Sequence, residues 1–210
     1  YGEARSFSFN MSVGYDLEGI RQPPMQAFID GMIDARRHPR FAEYVGTLQR
    51  MVDDDAFIRD LGLEDRSERL RALPGRIDSK IVRGVTLSTM HGCPPHEIEA
   101  ICRYMLEEKS LSTFVKLNPT LLGYDRVRQI LDACGFGYVA IRKESFAHDL
   151  PLDEARSMLR RLLELGRQKG LSFGVKLTNT LGAVNTKGVL PGDEFYVSGR
   201  ALFPLSINVA

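Results

Sequence analysis

Net charge is the first thing this sequence has almost none of. Its 28 Lys+Arg stand against 27 Asp+Glu, a formal charge of +1. No basic surplus exists to neutralise a phosphate backbone, so nucleic acid is excluded as the expected partner. Nor is there an apolar run near the ~18 to 20 residues that a bilayer crossing takes, or a charged-then-apolar leader. No membrane span is expected, and the expected location is the cytoplasm. Cysteine is sparse: Cys93, Cys102 and Cys134 are an odd count without the spacing of a disulfide framework, which fits a reducing compartment. Three enzyme signatures are missing as well. Without G-x-G-x-x-G, G-x-x-x-x-G-K-[ST] or a nucleophile elbow, the dinucleotide-fold, P-loop and α/β-hydrolase readings lack their motifs. An initial Met is missing too. The chain opens on Tyr1-Gly2-Glu3 and stops in the apolar stretch Leu205 to Ala210, so it reads as a piece of something longer.

What is present is an ordinary globular composition, 43% apolar and 26% charged. One domain over residues 1–210 is expected, with enough chain for a sizeable core. Phe7, Phe9, Met11 and Val13 alternate with Ser8, Asn10 and Ser12, the period of a strand with one apolar face. From Pro23 the period changes. Met25, Phe28, Ile29, Met32 and Ile33 make a helical stripe that His38-Pro39 stops. Residues 40–78 then read as a charged helical excursion. Further strands are expected at Val82–Ser88, Phe114–Asn118, Tyr138–Arg142 and Phe173–Thr178. Helices carrying Ile98, Ile101, Cys102, Met105 and Leu106, residues 124–133, and Leu152 to Leu163 separate them. Strands alternating with helices imply parallel pairing through crossovers, hence the α/β class.

Val115-Lys116-Leu117-Asn118 is echoed by Val175-Lys176-Leu177-Thr178-Asn179, each lysine near the C-terminal end of its strand. On these expected strands the two lie two strand-helix units apart. Alternate strands of a (β/α)8 barrel fill the same interior layer, and active sites gather at the C-terminal ends. Both lysines then point into one mouth. A doubly wound sheet would instead place them at a switch-point crevice. The barrel is the expected architecture. Because a full barrel takes ~250 residues, it is an incomplete TIM-barrel-like one carrying a helical insertion.

His91-Gly92-Cys93-Pro94-Pro95-His96 joins a strand end to a helix start. There the helix's positive end lowers a nearby thiol's pKa, which makes Cys93 a candidate reactive thiol, although a small residue filling a turn explains it equally well. Cys102 and Cys134 read as buried packing residues. Three metal-ligand types within six residues beside two prolines leave little room for tetrahedral geometry, so no metal is expected. Lys116 and Lys176 need partners in a barrel mouth: an anionic cofactor ring or phosphate, or a carbonyl substrate held as a Schiff base. Asn118, Asn179 and Thr180 add neutral groups useful for orienting a planar heterocycle, although turn formation explains single Asn residues equally well. Residues 182–199, with four glycines and Pro191, read as a long loop of the kind that covers a site, ending in a Ser198-Gly199 turn.

The run Leu87 to Pro95, the helix from Glu97 to Leu106 and the strand Phe114-Val115-Lys116-Leu117-Asn118-Pro119 resemble the FMN barrel of dihydropyrimidine and dihydroorotate dehydrogenases. Thr178-Asn179-Thr180 and Val197 to Pro204 resemble that family's Thr-Asn-Thr and Val-Ser-Gly-x-Ala elements. Over nearly the whole chain the pattern is similar to the selenate reductase subunit family, large iron-sulfur flavoproteins similar to the glutamate synthase small chain. The resemblance implies an FMN-dependent oxidoreductase with a small-molecule substrate and other redox domains or subunits as partners. Iron-sulfur clusters and FAD are implied elsewhere in the parent. It implies Cys93 as catalytic acid or base and Lys116 as both catalytic and flavin-contacting. Ser198 and Gly199 become further cofactor contacts, and Asn179 and Thr180 substrate contacts; Asn118 and Lys176 are expected as cofactor contacts from their place at the barrel mouth, Lys176 on a strand-helix unit extra to the family pattern. Ser88 stands where the dehydrogenases have asparagine. The strands that would carry the phosphate clamp are not among these residues, so the chain alone is expected to bind FMN weakly or not at all, to be inactive, and to self-associate. Two rivals remain: a Schiff-base lysine aldolase, and a non-catalytic barrel-derived scaffold.

Overall fold

A computed structural model describes residues 9–88 and 93–210. Phe7 of the first expected strand, and His91 beside Cys93, lie outside the described residues. The chain divides into two compact units, one containing residues 22–83 and the other residues 10–21 with 84–210.

The first unit is helical, as the charged amphipathic pattern of residues 40–78 predicts. Helix α2 (Pro23–Ile33) follows the short α1 (Leu17–Arg21) in the chain. It starts on prolines, whose missing N–H is harmless in a first turn. It ends at Ile33, short of His38-Pro39, because the Asp34 carboxylate accepts from the Arg36 N–H and caps a 3-10 turn instead. Arg36, aided by Ser79, holds that carboxyl well below the usual range. Then come α3 (Phe41–Asp53), α4 (Asp55–Asp60) and α5 (Ser67–Arg71). Ile29, Ala35, Val52 and Ile58 are the buried apolar residues of these elements. The Ala35 N–H donates to the Ser79 carbonyl at 2.8 Å, so the two ends of this helical stretch meet.

The second unit holds a four-stranded sheet of β1 (Phe9–Val13), β2 (Val82–Ser88), β3 (Ser112–Leu117) and β4 (Phe173–Leu177), neighbours in that order. β2–β3 and β3–β4 are parallel. Helix α6 (Pro95–Glu107) packs on β3, and α9 (Leu152–Lys169) on β4 and α6. A sequential order without reversal is that of a TIM barrel; a doubly wound sheet turns back on itself. Among the described residues the barrel is not closed. β4 is an edge, and its Val175 stays 41% exposed although its partner Val115 is fully buried. Leu87 and Val115 are buried and line one small cavity with Ile98, Ile101 and Cys102 of α6, so the apolar face of the sheet is the helix face. The alternate positions Thr86, Ser88, Phe114, Lys116, Gly174 and Lys176 share the opposite face.

One expected strand does not form. Residues 138–142 follow α7 (Tyr124–Ala133) as coil, leading to the short α8 (Glu144–Ala147). The carbonyls a ladder would use are taken: Arg128 donates to those of Val139 and Phe136, and the Val184 N–H donates to that of Ala140. β3 therefore pairs directly with β4. The expected covering loop at 182–199 is instead mostly an antiparallel hairpin of β5 (Leu181–Val184) and β6 (Glu194–Val197). The Asn185 side chain braces its turn by donating to the carbonyls of Leu190 and Gly192. With α10 (Phe203–Val209) behind it, this hairpin closes a second core in which Leu181, Leu202 and Leu205 meet Val127, Ile130, Leu131 and Ile141.

Candidate functional site

The chemistry-bearing residues collect where the parallel strands end. Lys116 and Lys176 are not on alternate strands, as the five-strand reading has it, but are direct register partners on β3 and β4. Ser88 of β2 is the next partner of Lys116. The result is a row of Ser88, Lys116 and Lys176 across one face. Lys116 is half-buried and Lys176 exposed. Placing like charges opposite one another on adjacent strands costs stability.

Cys93 precedes Pro94, the N-cap of α6, and is half-buried. It lines a cavity of about 10 Å³ with Ser88, Asp16 and Cys102. The expectation of a thiolate stabilised by the helix end is overturned. Burial, together with the carboxylate of Glu97, to which the thiol donates, and the more distant Asp16, pushes the Cys93 thiol up to about 11. At neutral pH it is a proton-holding thiol. Cys102 is buried as expected and its thiol is pushed further up, chiefly by burial. Cys134 is exposed, contrary to expectation: it follows α7 at its C-cap, past the last turn that packs.

Asn118 stands one residue past the end of β3. It lines a second cavity of about 10 Å³ together with Cys93, Leu117, Thr120 and Asp149. Its Nδ2 donates to Asp149 Oδ2 at 3.2 Å, and Thr120 Oγ1 donates to the same oxygen at 2.7 Å. Asn118 Oδ1 is buried and lacks a partner among the described residues. Asn179 follows β4, and its backbone N–H donates to the Leu117 carbonyl at 2.6 Å, holding 179–180 beside the β3 end. Ser198 and Gly199 belong elsewhere. They follow β6 in the two-stranded sheet, with Gly199 at φ +66°, and both are exposed. The structure thus sets Ser88, Lys116 and Lys176 in one row, Cys93 and Asn118 round a separate small cavity, and Ser198–Gly199 on a different sheet.

Reading the sequence singles out neither Glu97 nor Asp149. Glu97 looks like a helix-start acid, and Asp149, just before Leu150-Pro151 and α9, like a turn former. Only its burial, at 7% exposure, marks it. Among the described residues no group of three or more His, Cys, Asp or Glu is placed to hold a metal ion, and no helix is long and apolar enough to cross a membrane.

A family model described as "Oxidoreductase YgfK, N-terminal TIM-barrel domain" matches residues 1–210. A curated protein of Escherichia coli strain K12 named "Putative oxidoreductase YgfK" is 68% identical over 206 residues, covering 98% of this chain and 20% of the relative. The protein of the same name from Escherichia coli O157:H7 matches to the same extent. The chain spans about a fifth of the length of these curated relatives. No solved structure matches it.

Proposed function

This chain belongs to the family of oxidoreductase YgfK N-terminal TIM-barrel domains, and from that premise we propose that it carries the FMN and substrate site of a redox flavoprotein related to dihydropyrimidine and dihydroorotate dehydrogenases. The observation that carries the reading is the row of Ser88, Lys116 and Lys176 at the C-terminal ends of parallel strands.

The residues present fit a flavin ring. Two cations on one face suit a ring that gains negative charge on reduction. Bound there, the flavin supplies hydride transfer. Lys116 and Lys176 hold the ring edge, and Asn118 orients it. Ser198 and Gly199 meet the cofactor from the second sheet. Asn179 and Thr180, pinned beside the end of β3, contact the substrate. Cys93 Sγ gives its proton to the substrate atom next to the one reduced and recovers it from water, a task that needs a group still protonated at neutral pH. The substrate is a small oxidised molecule, and the electrons come from iron-sulfur and FAD centres elsewhere in the parent.

Purified full-length protein tests this. It should carry flavin absorbance and release FMN on denaturation, and Lys116→Met should lower its flavin content at least tenfold while the protein stays folded. A folded, colourless protein that takes up no added FMN would refute the reading. Covalent trapping of Lys116 or Lys176 by borohydride with a carbonyl substrate would replace it with Schiff-base chemistry.

A further inference from the structure

We propose that Phe114 is a cofactor contact of this site: its ring leans across Gly174 and forms the apolar floor beneath the Ser88, Lys116 and Lys176 row, on which the bound flavin ring rests. The inference rests on the flavin reading above. It begins from an aromatic side chain on the lysine face of the sheet that the proposed chemistry leaves unused.

Successive residues of a strand point to opposite faces, so Phe114 shares a face of β3 with Lys116, and Gly174 shares that face of β4 with Lys176. Phe114 and Gly174 are direct register partners, as the two lysines are. They therefore make the layer below the lysines, about 6.6 Å back along the strands. On β2 the same layer holds Thr86. That residue is 4% exposed, and its hydroxyl accepts from the Asn10 amide at 2.5 Å. Gly174 has no side chain to offer. Of these three, only the phenyl ring presents a surface to a ligand, and Phe114 is 37% exposed.

Gly174 gives the ring its place. A Cβ built there would lie 2.8 Å from Phe114 Cε1 and 2.9 Å from Cδ1, well inside the ~3.5 to 4.0 Å of ordinary carbon contact. The ring thus fills the volume that a β4 side chain would take, instead of standing up among the lysines. An open apolar surface below two cations suits a ligand that is planar, apolar on its faces and negative at its edge, as a reduced flavin is. Stacking there removes water from one side of that ring, and both lysines act on it more strongly as a result.

The test uses full-length protein stripped of flavin and retitrated with FMN, with the thermal midpoint reporting folding. Phe114→Leu keeps an apolar side chain but removes the aromatic face, and should weaken FMN binding about three- to tenfold. Gly174→Ala, which tilts the ring out of its place, should weaken binding as well. In the Phe114→Leu background the same alanine has no ring to displace and should change binding little further. Phe114→Tyr supplies a readout that a merely structural role would not move. It sets an oxidisable ring against the flavin, so the fluorescence lifetime of bound FMN should shorten, because quenching by electron transfer needs close contact. This measurement requires no loss of affinity and serves where Phe114→Leu does not fold. Unchanged FMN affinity in folded Phe114→Leu, or an unchanged lifetime in Phe114→Tyr with FMN bound, overturns the contact and leaves the flavin reading standing. Failure of the folded wild type to bind FMN at all overturns both.

Discussion

Cys93 offers the sharpest quantitative expectation, because its surroundings act against the helix end it occupies. With its thiol pushed up to about 11, the thiolate fraction at pH 7 is about 1 in 10,000, against about 1 in 100 for a thiol at the ordinary value of 9.0. Thiolates of weaker acids are better nucleophiles, with a dependence of about 0.4 to 0.5 per pKa unit, which returns roughly six- to tenfold. Alkylation of Cys93 at pH 7 should therefore run roughly ten- to fifteenfold slower than that of an unperturbed exposed thiol. Cys134, exposed at the end of α7, should label first, and fully buried Cys102 last. The rate at Cys93 should climb about tenfold per pH unit through pH 9 without levelling. Removing the Glu97 charge in Glu97→Gln should speed labelling only a few-fold at pH 7, since burial is the larger cause and remains. Timed iodoacetamide pulses on full-length protein, read peptide by peptide in a mass spectrometer, measure all three cysteines at once. If Cys93 labels faster than Cys134 at pH 7, or its rate levels off below pH 9, the reasoning from burial and Glu97 is wrong and the helix end prevails.

Replacing Lys176 by Met removes one of two like charges facing each other on β3 and β4. It should raise unfolding free energy by about 0.2 to 1 kcal/mol in denaturant titration while weakening FMN binding; a loss of stability would count against the repulsive pair. Gly174 has its place because a Cβ there would lie 2.8 Å from the Phe114 ring. Gly174→Ala should cost about 1 to 3 kcal/mol, and Phe114→Leu in the same chain should restore much of it, a rescue read from the thermal midpoint. The bidentate pair of Arg161 with Glu99, at 2.6 and 2.9 Å, holds the Glu99 carboxyl below its usual range. A carboxyl lowered in the folded state adds stability above its unfolded pKa that is lost as pH falls through the folded value. Arg161→Met should then flatten the acid limb of stability below about pH 4.5, and an unchanged limb would show the pair contributes nothing.

The elements that local pattern dictates were legible in the sequence. Period-2 and period-3.6 stripes placed β2, β3, β4, α6, α7 and α9 within a few residues, since each buries one face. The stretch 138–142 misled because Val139 and Ile141 do turn inward, but toward the second core, while Arg128 and Val184 occupy its backbone carbonyls. The error propagated: an extra strand between β3 and β4 hid the direct pairing of Lys116 with Lys176. The lysine echo marked the C-terminal ends of two parallel strands. The raised thiol of Cys93 and the buried Asp149 were not legible, because both depend on what surrounds them in space, and Asp149 lies 31 positions from Asn118.

The division of the chain also sets an order of assembly. β1 neighbours β2 in the sheet, yet the whole helical unit is threaded between them. During synthesis β1 must wait for its neighbour while some seventy intervening residues emerge. If the helices form first, the contact between Ala35 and Ser79 clips that span. The slack that must close shrinks from roughly seventy residues to roughly twenty-five, which lowers the entropy of joining the strands by about 0.9 kcal/mol. The inserted helices thus act as a fastener that makes the first strand pairing faster, and weakening them should slow the folding of the sheet before it changes anything at the site.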